Sequence, residues 1–244
     1  MKRLVLAAVV LFGFAHTAGA AERLRVIANG TFSAGPAGFD ATHSFTEFLE
    51  TARIDAHFKA DSAAGFDGGL QVNVFKGLGA FVAYSQTRRN ESGTFQARLP
   101  HPLYFGRFRE ASGDLSSAYR YKESAIHADL AVGGVKGHLD YAFFAGVSRF
   151  TVEADLVETL RYDHAYPYDT VTVTEVPPKT TKGTPTGFNA GARLDYRFGA
   201  SGHFGLGALV RFSRATAKLK PADDSTVNVD AGGFQGGLGL RLYF

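Results

Sequence analysis

The chain has 244 residues, with 26 Lys and Arg against 23 Asp and Glu, a formal charge of +3, and no cysteine. That near-balance gives no basis for nucleic-acid binding. The missing cysteine excludes disulfides, a thiol nucleophile and thiolate metal sites.

Lys2 and Arg3 precede the apolar run Leu4 to Phe14, and Ala18-Gly19-Ala20 follows as a small-x-small site. Residues 1–20 are therefore expected to be a secretory signal peptide, because the apolar run is too short to span a bilayer. Residues 21–44 are expected to be a periplasmic segment ahead of a barrel over 45–244. Within that segment Arg25 to Phe32 is strand-like, and is taken as periplasmic or as an extension of the first strand.

Eight stretches then alternate with period two. Phe48, Ala52, Ile54, Ala56 and Phe58 alternate with Thr51, Arg53, Asp55 and His57. Glu50 falls on the apolar parity of that first stretch, which places it in a headgroup zone or at a bulge. The others centre on Phe66–Val74, Leu78–Tyr84, Ile126–Val132, Leu139–Val147, Phe188–Phe198, Phe204–Phe212 and the terminal Phe234–Phe244. Each apolar face has about the 9–11-residue length of a tilted strand crossing a bilayer. The last one runs to the final residue, with Phe234, Leu238, Leu240, Leu242 and Phe244 on one face and Gly, Gln235, Arg241 and Tyr243 on the other. An apolar face toward lipid and a small or polar face toward a wet interior is the pattern of a closed membrane barrel. The expected fold is all-β, a transmembrane antiparallel up-and-down β-barrel of eight strands, with ten as the alternative.

Connections alternate short and long. Residues 75–77, 133–137 and 199–202 are short; 86–118, 150–187 and 215–228 are long. Short periplasmic turns and long outer loops orient the barrel with Phe244 at the periplasmic end. Phe58, Phe66, Tyr121, Phe188, Phe212 and Phe234 are then expected in an outer aromatic girdle. Phe48, Tyr141, Tyr196, Phe198, Phe204 and Phe244 are expected in the periplasmic one.

The signal peptide, the alternating strands and the ending Leu240-Arg241-Leu242-Tyr243-Phe244 resemble the small bacterial outer-membrane β-barrels of the OmpA/OmpX-like group. The resemblance implies the outer membrane as location, and a monomer inserted by the barrel-assembly machinery among outer-membrane lipid and lipopolysaccharide. It also implies a structural or surface-recognition role through outer loops, without enzymatic activity. The chain stops at its last strand, which argues against cell-wall anchoring through a further domain.

The interior-facing positions carry Arg53, Asp55, His57, Asp67, Glu123, His127, Asp129, Asp140, Arg193, Asp195, Arg197, Arg211 and Arg241. Buried charges need partners, so an ion-pair network that packs the interior is expected. A narrow porin-like path for ions or small solutes is the alternative. The histidines show no metal-ligand spacing, and no metal or cofactor is expected. His127 and Asp129 share a face, but a hydrolase would need a serine hydroxyl beside His127, and Ser124 has the opposite parity. Among the loop arginines, Arg88, Arg89, Arg107 and Arg109 are candidate contacts for lipopolysaccharide phosphates. Thr151–Val157 and Thr170–Val176 have β character and are expected to pair as a hairpin above the membrane.

Overall fold

Period-two alternation turns into antiparallel strands throughout. The computed structural model describes residues 24–34, 38–59, 62–75, 77–199, 203–220 and 226–244; the expected signal peptide lies outside the described residues, as do Lys76 and residues 200–202 of two short turns. In chain order the strands are β1 (Leu24–Ala34), β2 (Phe39–Glu47), β3 (Glu50–Lys59), β4 (Ala63–Phe75), β5 (Leu78–Pro100), β6 (Phe108–Lys136) and β7 (Leu139–Val157). They continue with β8 (Arg161–Asp163), β9 (Thr172–Glu175), β10 (Pro178–Gly183), β11 (Thr186–Phe198), β12 (Phe204–Leu219) and β13 (Val227–Tyr243).

Eight of them close a ring: β1, β4, β5, β6, β7, β11, β12, β13 and back to β1. The eight-stranded barrel is as expected, but its first strand is not. Residues 24–34 are neither a periplasmic segment nor an extension: β1 pairs with β13 on one side and β4 on the other, and closes the barrel. Val26, Ala28, Gly30 and Phe32 face out, while Arg25, Ile27, Asn29 and Thr31 face in and are buried.

The stretch 48–58 is instead the second arm of a hairpin, β2–β3, inserted between β1 and β4. It leans on the upper part of β5, from Arg53 opposite Arg98 to Lys59 opposite Ser92. Phe48 therefore sits at the outer tip, not in the periplasmic girdle, and Phe58 is wholly buried rather than lipid-facing. The two-residue turn Phe48-Leu49 has φ of 48° and 68°. Paired positive φ is what a tight hairpin turn requires, and Asn-Gly normally supplies it. For a residue with a Cβ this conformation costs about 1–2 kcal/mol.

The expected long loops are mostly strand. β5 has 23 residues and β6 has 29, whereas a bilayer needs about 9–11. All the surplus lies outward, because the periplasmic turns are tight. The ring strands therefore build two zones. In the membrane zone, Leu70, Val82, Leu130, Phe143, Leu194, Leu206, Leu238 and Leu240 are exposed, a belt tolerated only in lipid. In the head above it, outward positions become Arg88, Asn90, Arg120, Lys122 and Lys182. Inward positions there become Phe95, Leu99, Leu115, Phe150, Val152, Leu156, Leu219, Val227 and Val229, one apolar core shared with β2–β3. The inversion follows the solvent, since water surrounds the head and lipid surrounds the barrel.

The outer girdle consists of Phe32, Phe66, Tyr84, Phe188, Phe212 and Phe234, with Phe212 and Phe234 ring centroids 5.0 Å apart. Tyr121 does not belong to it: its parity is that of His127 and Asp129, and it is buried inside. The expected hairpin between 151–157 and 170–176 is also replaced. Upper β7 pairs with β10, and β9 pairs with β8.

Inside the head, His43 is buried on β2 and stacks 5.9 Å from Phe45. Burial pushes its pKa below the ordinary 6.5; Glu158 opposes the shift and Lys179 adds to it. Protonation then favours an opened hairpin. The stability His43 contributes is complete above pH 6.5 and declines as pH falls below it. Relative to the intrinsic exchange rate at each pH, the protection of β2 amides is expected to be lower at pH 5.5 than at pH 7.5, and His43→Phe is expected to flatten that difference.

Candidate functional site

The barrel interior stacks in layers, each positioned by inward parity. Nearest the periplasm, Arg25 bonds Asp140 and lies 3.3 Å from Asp195. Arg197 reaches Asp140 at 2.7 Å. Arg193 and Arg241 reach Asp195 at 2.8 and 2.7 Å. Arg193 also donates to the Gln71 side chain at 2.7 Å. Above lies a small apolar layer of Ile27, Phe81, Ala83, Ala131, Phe144 and Leu209. The Arg211 guanidinium is 5.5 Å from the Phe144 ring, and Arg193 is 5.8 Å from Phe81. Next, Arg211 binds Asp67 at 2.6 Å and Gln235 at 3.1 Å. Asn29 links Asp67 to Arg241, donating to the first at 2.9 Å and accepting from the second at 2.7 Å.

At the level of the outer girdle a hydrogen-bonded side-chain relay takes over. His127 Nε2 is 3.0 Å from Ser85 Oγ, and Nδ1 is 2.7 Å from Ser148 Oγ. Asn189 donates to Ser148 Oγ at 2.9 Å and to Asp129 at 2.7 Å. Two serines thus flank His127 from neighbouring strands, β5 and β7, which parity within β6 alone did not reveal. Both ring nitrogens are occupied by hydroxyls, and the histidine is buried. The carboxylate of Asp129 reaches Asn189 rather than the imidazole. Among the described residues no cluster of three His, Asp and Glu could hold a metal ion.

Above this relay is a gap of about 10 Å³ lined by Ser85, Thr87, Glu123, Phe150, Ser213 and Gly232, roughly the room of one water. Glu123 accepts from Tyr121 Oη at 2.9 Å and from the Gly232 amide at 3.0 Å. Arg89 stacks 4.2 Å from the Tyr121 ring and bonds Glu91. The apolar head core begins directly above.

Ten of the expected interior residues meet here: Asp67, Glu123, His127, Asp129, Asp140, Arg193, Asp195, Arg197, Arg211 and Arg241. Arg53, Asp55 and His57 do not. They lie on the solvent face of β2–β3, where Arg53 bonds Asp55 at 2.8 Å and His57 bonds Asp40 at 2.5 Å. Their alternation belongs to the head, where the polar face points out. Arg25, Asn29, Gln71, Ser85, Ser148, Asn189 and Gln235 complete the network. Arg25 and Asn29 became legible only once residues 24–34 stood as a strand, and the signal was their alternation with Val26 and Ala28.

The four loop arginines separate too. Arg88 is exposed on the outer wall of β5. It borders a recess of about 460 Å³ lined also by Asn90, Arg120, Lys122, Glu153, Asp155 and Thr180. Arg107 is exposed at the tip and bonds Asp169 at 2.8 Å. Arg89 points inward, so it does not face lipid. Arg109 is buried in the head, donating to the Pro100 carbonyl at 2.6 Å and to His164 at 3.0 Å.

No family model and no curated protein matches this chain. Among solved structures, the outer membrane protein OprG from Pseudomonas aeruginosa is similar, with TM-score 0.51 and 10% identity over 92% of this chain and 96% of that one. The chain has the fold of the small bacterial outer-membrane β-barrels. With the lipid-facing belt, that fold places it in the bacterial outer membrane. Weaker likenesses include Neisserial surface protein A (TM-score 0.40, 13% identity, 91% of this chain and 97% of that one). Another is the outer membrane protease OmpT from Escherichia coli (TM-score 0.46, 9% identity, 94% and 99%).

Proposed function

We propose that this outer-membrane barrel is a non-enzymatic surface protein: a sealed anchor that carries a rigid outer head for recognition. The observation that supports the reading is the filled interior. Ion pairs occupy the membrane zone, a one-water gap follows, and an apolar core fills the head. Ions crossing it would have to break fully buried pairs and then enter an apolar medium. Residues 1–20 direct export, and the barrel-assembly machinery inserts the barrel as a monomer. On the outer wall, Arg88 with Arg120 and Lys122 stands just above the aromatic girdle, at the height of lipopolysaccharide phosphates.

Purified protein in planar bilayers is expected to give little or no steady conductance. A large, reproducible conductance altered by Arg193→Ala or Asp129→Ala would overturn the sealed reading in favour of a narrow channel. Covalent change of lipid A or phospholipid on expression, abolished by His127→Ala, would overturn the non-enzymatic one.

A further inference from the structure

The outermost surface of the head brings three turns together. Glu50 accepts from the Gly106 amide at 2.9 Å, tying the β2–β3 tip to the β5–β6 loop. Arg107 bonds Asp169 at 2.8 Å, tying that loop to the β8–β9 connection. Tyr162 donates to Glu47 and closes the triangle. The turns so held display apolar side chains. Leu49 is 92% exposed and Phe105 is 85% exposed, with Phe48, Leu103, Tyr104 and Tyr166 beside them.

Two features set this apart from ordinary loop composition. First, Phe48 and Leu49 occupy a turn with both φ positive, where Asn-Gly would fold with less strain. The strained choice places two large apolar groups at the tip of the hairpin, with Leu49 almost wholly exposed. Second, the neighbouring charges are matched among themselves: Arg53 with Asp55, Arg107 with Asp169, and Arg161 with Glu175. A polyanionic partner would call for an excess of cations, and this surface offers none.

The surface cannot be covered by its own membrane. Some sixteen residues of β5 separate Tyr84 in the outer girdle from Pro100, which is roughly 40 Å along the barrel axis. What covers it comes from outside the cell. Leu49, Phe105 and Tyr166 stand almost fully exposed on three separate turns, which suits a fluid medium more than a fitted protein surface.

We propose that this tip inserts into the bilayer of an apposed membrane. Phe48, Leu49 and Phe105 enter the acyl region, and Tyr104 and Tyr166 rest at its headgroup boundary. The proposal rests on the surface-protein reading and gives it a partner: zwitterionic phospholipid, without need for anionic lipid.

The test is flotation of the full chain, reconstituted in nanodiscs, with phosphatidylcholine vesicles. The parent is expected to float with the vesicles, and raising salt to 0.5 M should leave binding within about twofold, because screening affects only charge-driven contacts. The double variant Phe48→Asn, Leu49→Gly relieves the turn and should fold at least as well, judged by heat-modifiable gel mobility. Its binding is expected to fall by about tenfold or more. Phe105→Ser, on a separate loop, should weaken binding in the same direction. Failure of the parent to float, undiminished binding by the double variant, binding only to anionic vesicles with loss in salt, or self-association through the tip in detergent, where no bilayer is present, would each overturn the proposal. Conductance is a separate measurement, so a silent barrel that does not float would sink the tip assignment and leave the sealed-anchor reading standing.

Discussion

Asp195→Ala is expected to abolish or severely weaken folding of the barrel, with a loss of about 3–5 kcal/mol or more. One oxygen of Asp195 accepts from Arg241 at 2.7 Å, and the other faces Arg193 at 2.8 Å and Arg25 at 3.3 Å. These arginines come from β13, β11 and β1, and all are buried. Without the carboxylate, three guanidinium groups share an interior with Asp140 as the remaining nearby anion. The penalty is the uncompensated burial of cations, so removing a cation as well should relieve part of it. Asp195→Ala with Arg241→Leu is expected to unfold at a higher urea concentration than Asp195→Ala alone. Urea titration in phospholipid vesicles, read by heat-modifiable mobility, measures both. A single variant within about 0.5 kcal/mol of the parent would show that the network does not hold the strands.

Gly239→Ala should produce the other large loss, about 3 kcal/mol or a failure to close. Gly239 lies opposite Asn29 on the β1–β13 seam. A Cβ there would overlap the Ala28 carbonyl oxygen and stand 2.6 Å from the Asn29 Cα. Both atoms are backbone, so relief requires the seam itself to part. Gly30, on the same seam, is the control: a Cβ there meets nothing within 4 Å and points to lipid. Gly30→Ala is expected to be neutral or slightly stabilising. Folded yield after refolding into detergent separates the two. Equal yields would mean that the seam is looser than its register implies.

The membrane zone was legible because lipid on one side and a packed polar interior on the other impose a strict period of two. β4, β11, β12 and the terminal strand lie close to where alternation put them, and so does the short periplasmic turn at Gly137. Alternation does not say which side is wet. The pattern of 48–58 is as regular as that of a membrane strand, yet in the head the solvent is water and the apolar face turns inward. For that reason Arg53, Asp55 and His57 lie on the wet outer wall of the head and not in the interior. The strand-like stretch 25–32 carries a weaker membrane signal for the complementary reason: its outward face is small and weakly apolar, with Val26, Ala28 and Gly30 before Phe32, so alternation alone does not place it in the ring.

The amino-acid sequence by itself determined the architecture: eight tilted strands, their orientation from Phe244 backwards, and an interior charged enough to need internal pairing. Those are consequences of periodicity, which is local. Only the tertiary structure decided which eight strands form the ring. It also set the Asp195 node across β1, β11 and β13, Ser85 and Ser148 on either side of His127, and the joining of three turns around Glu50 and Asp169. Each of these depends on register between strands far apart in the chain, and register is settled when the barrel closes.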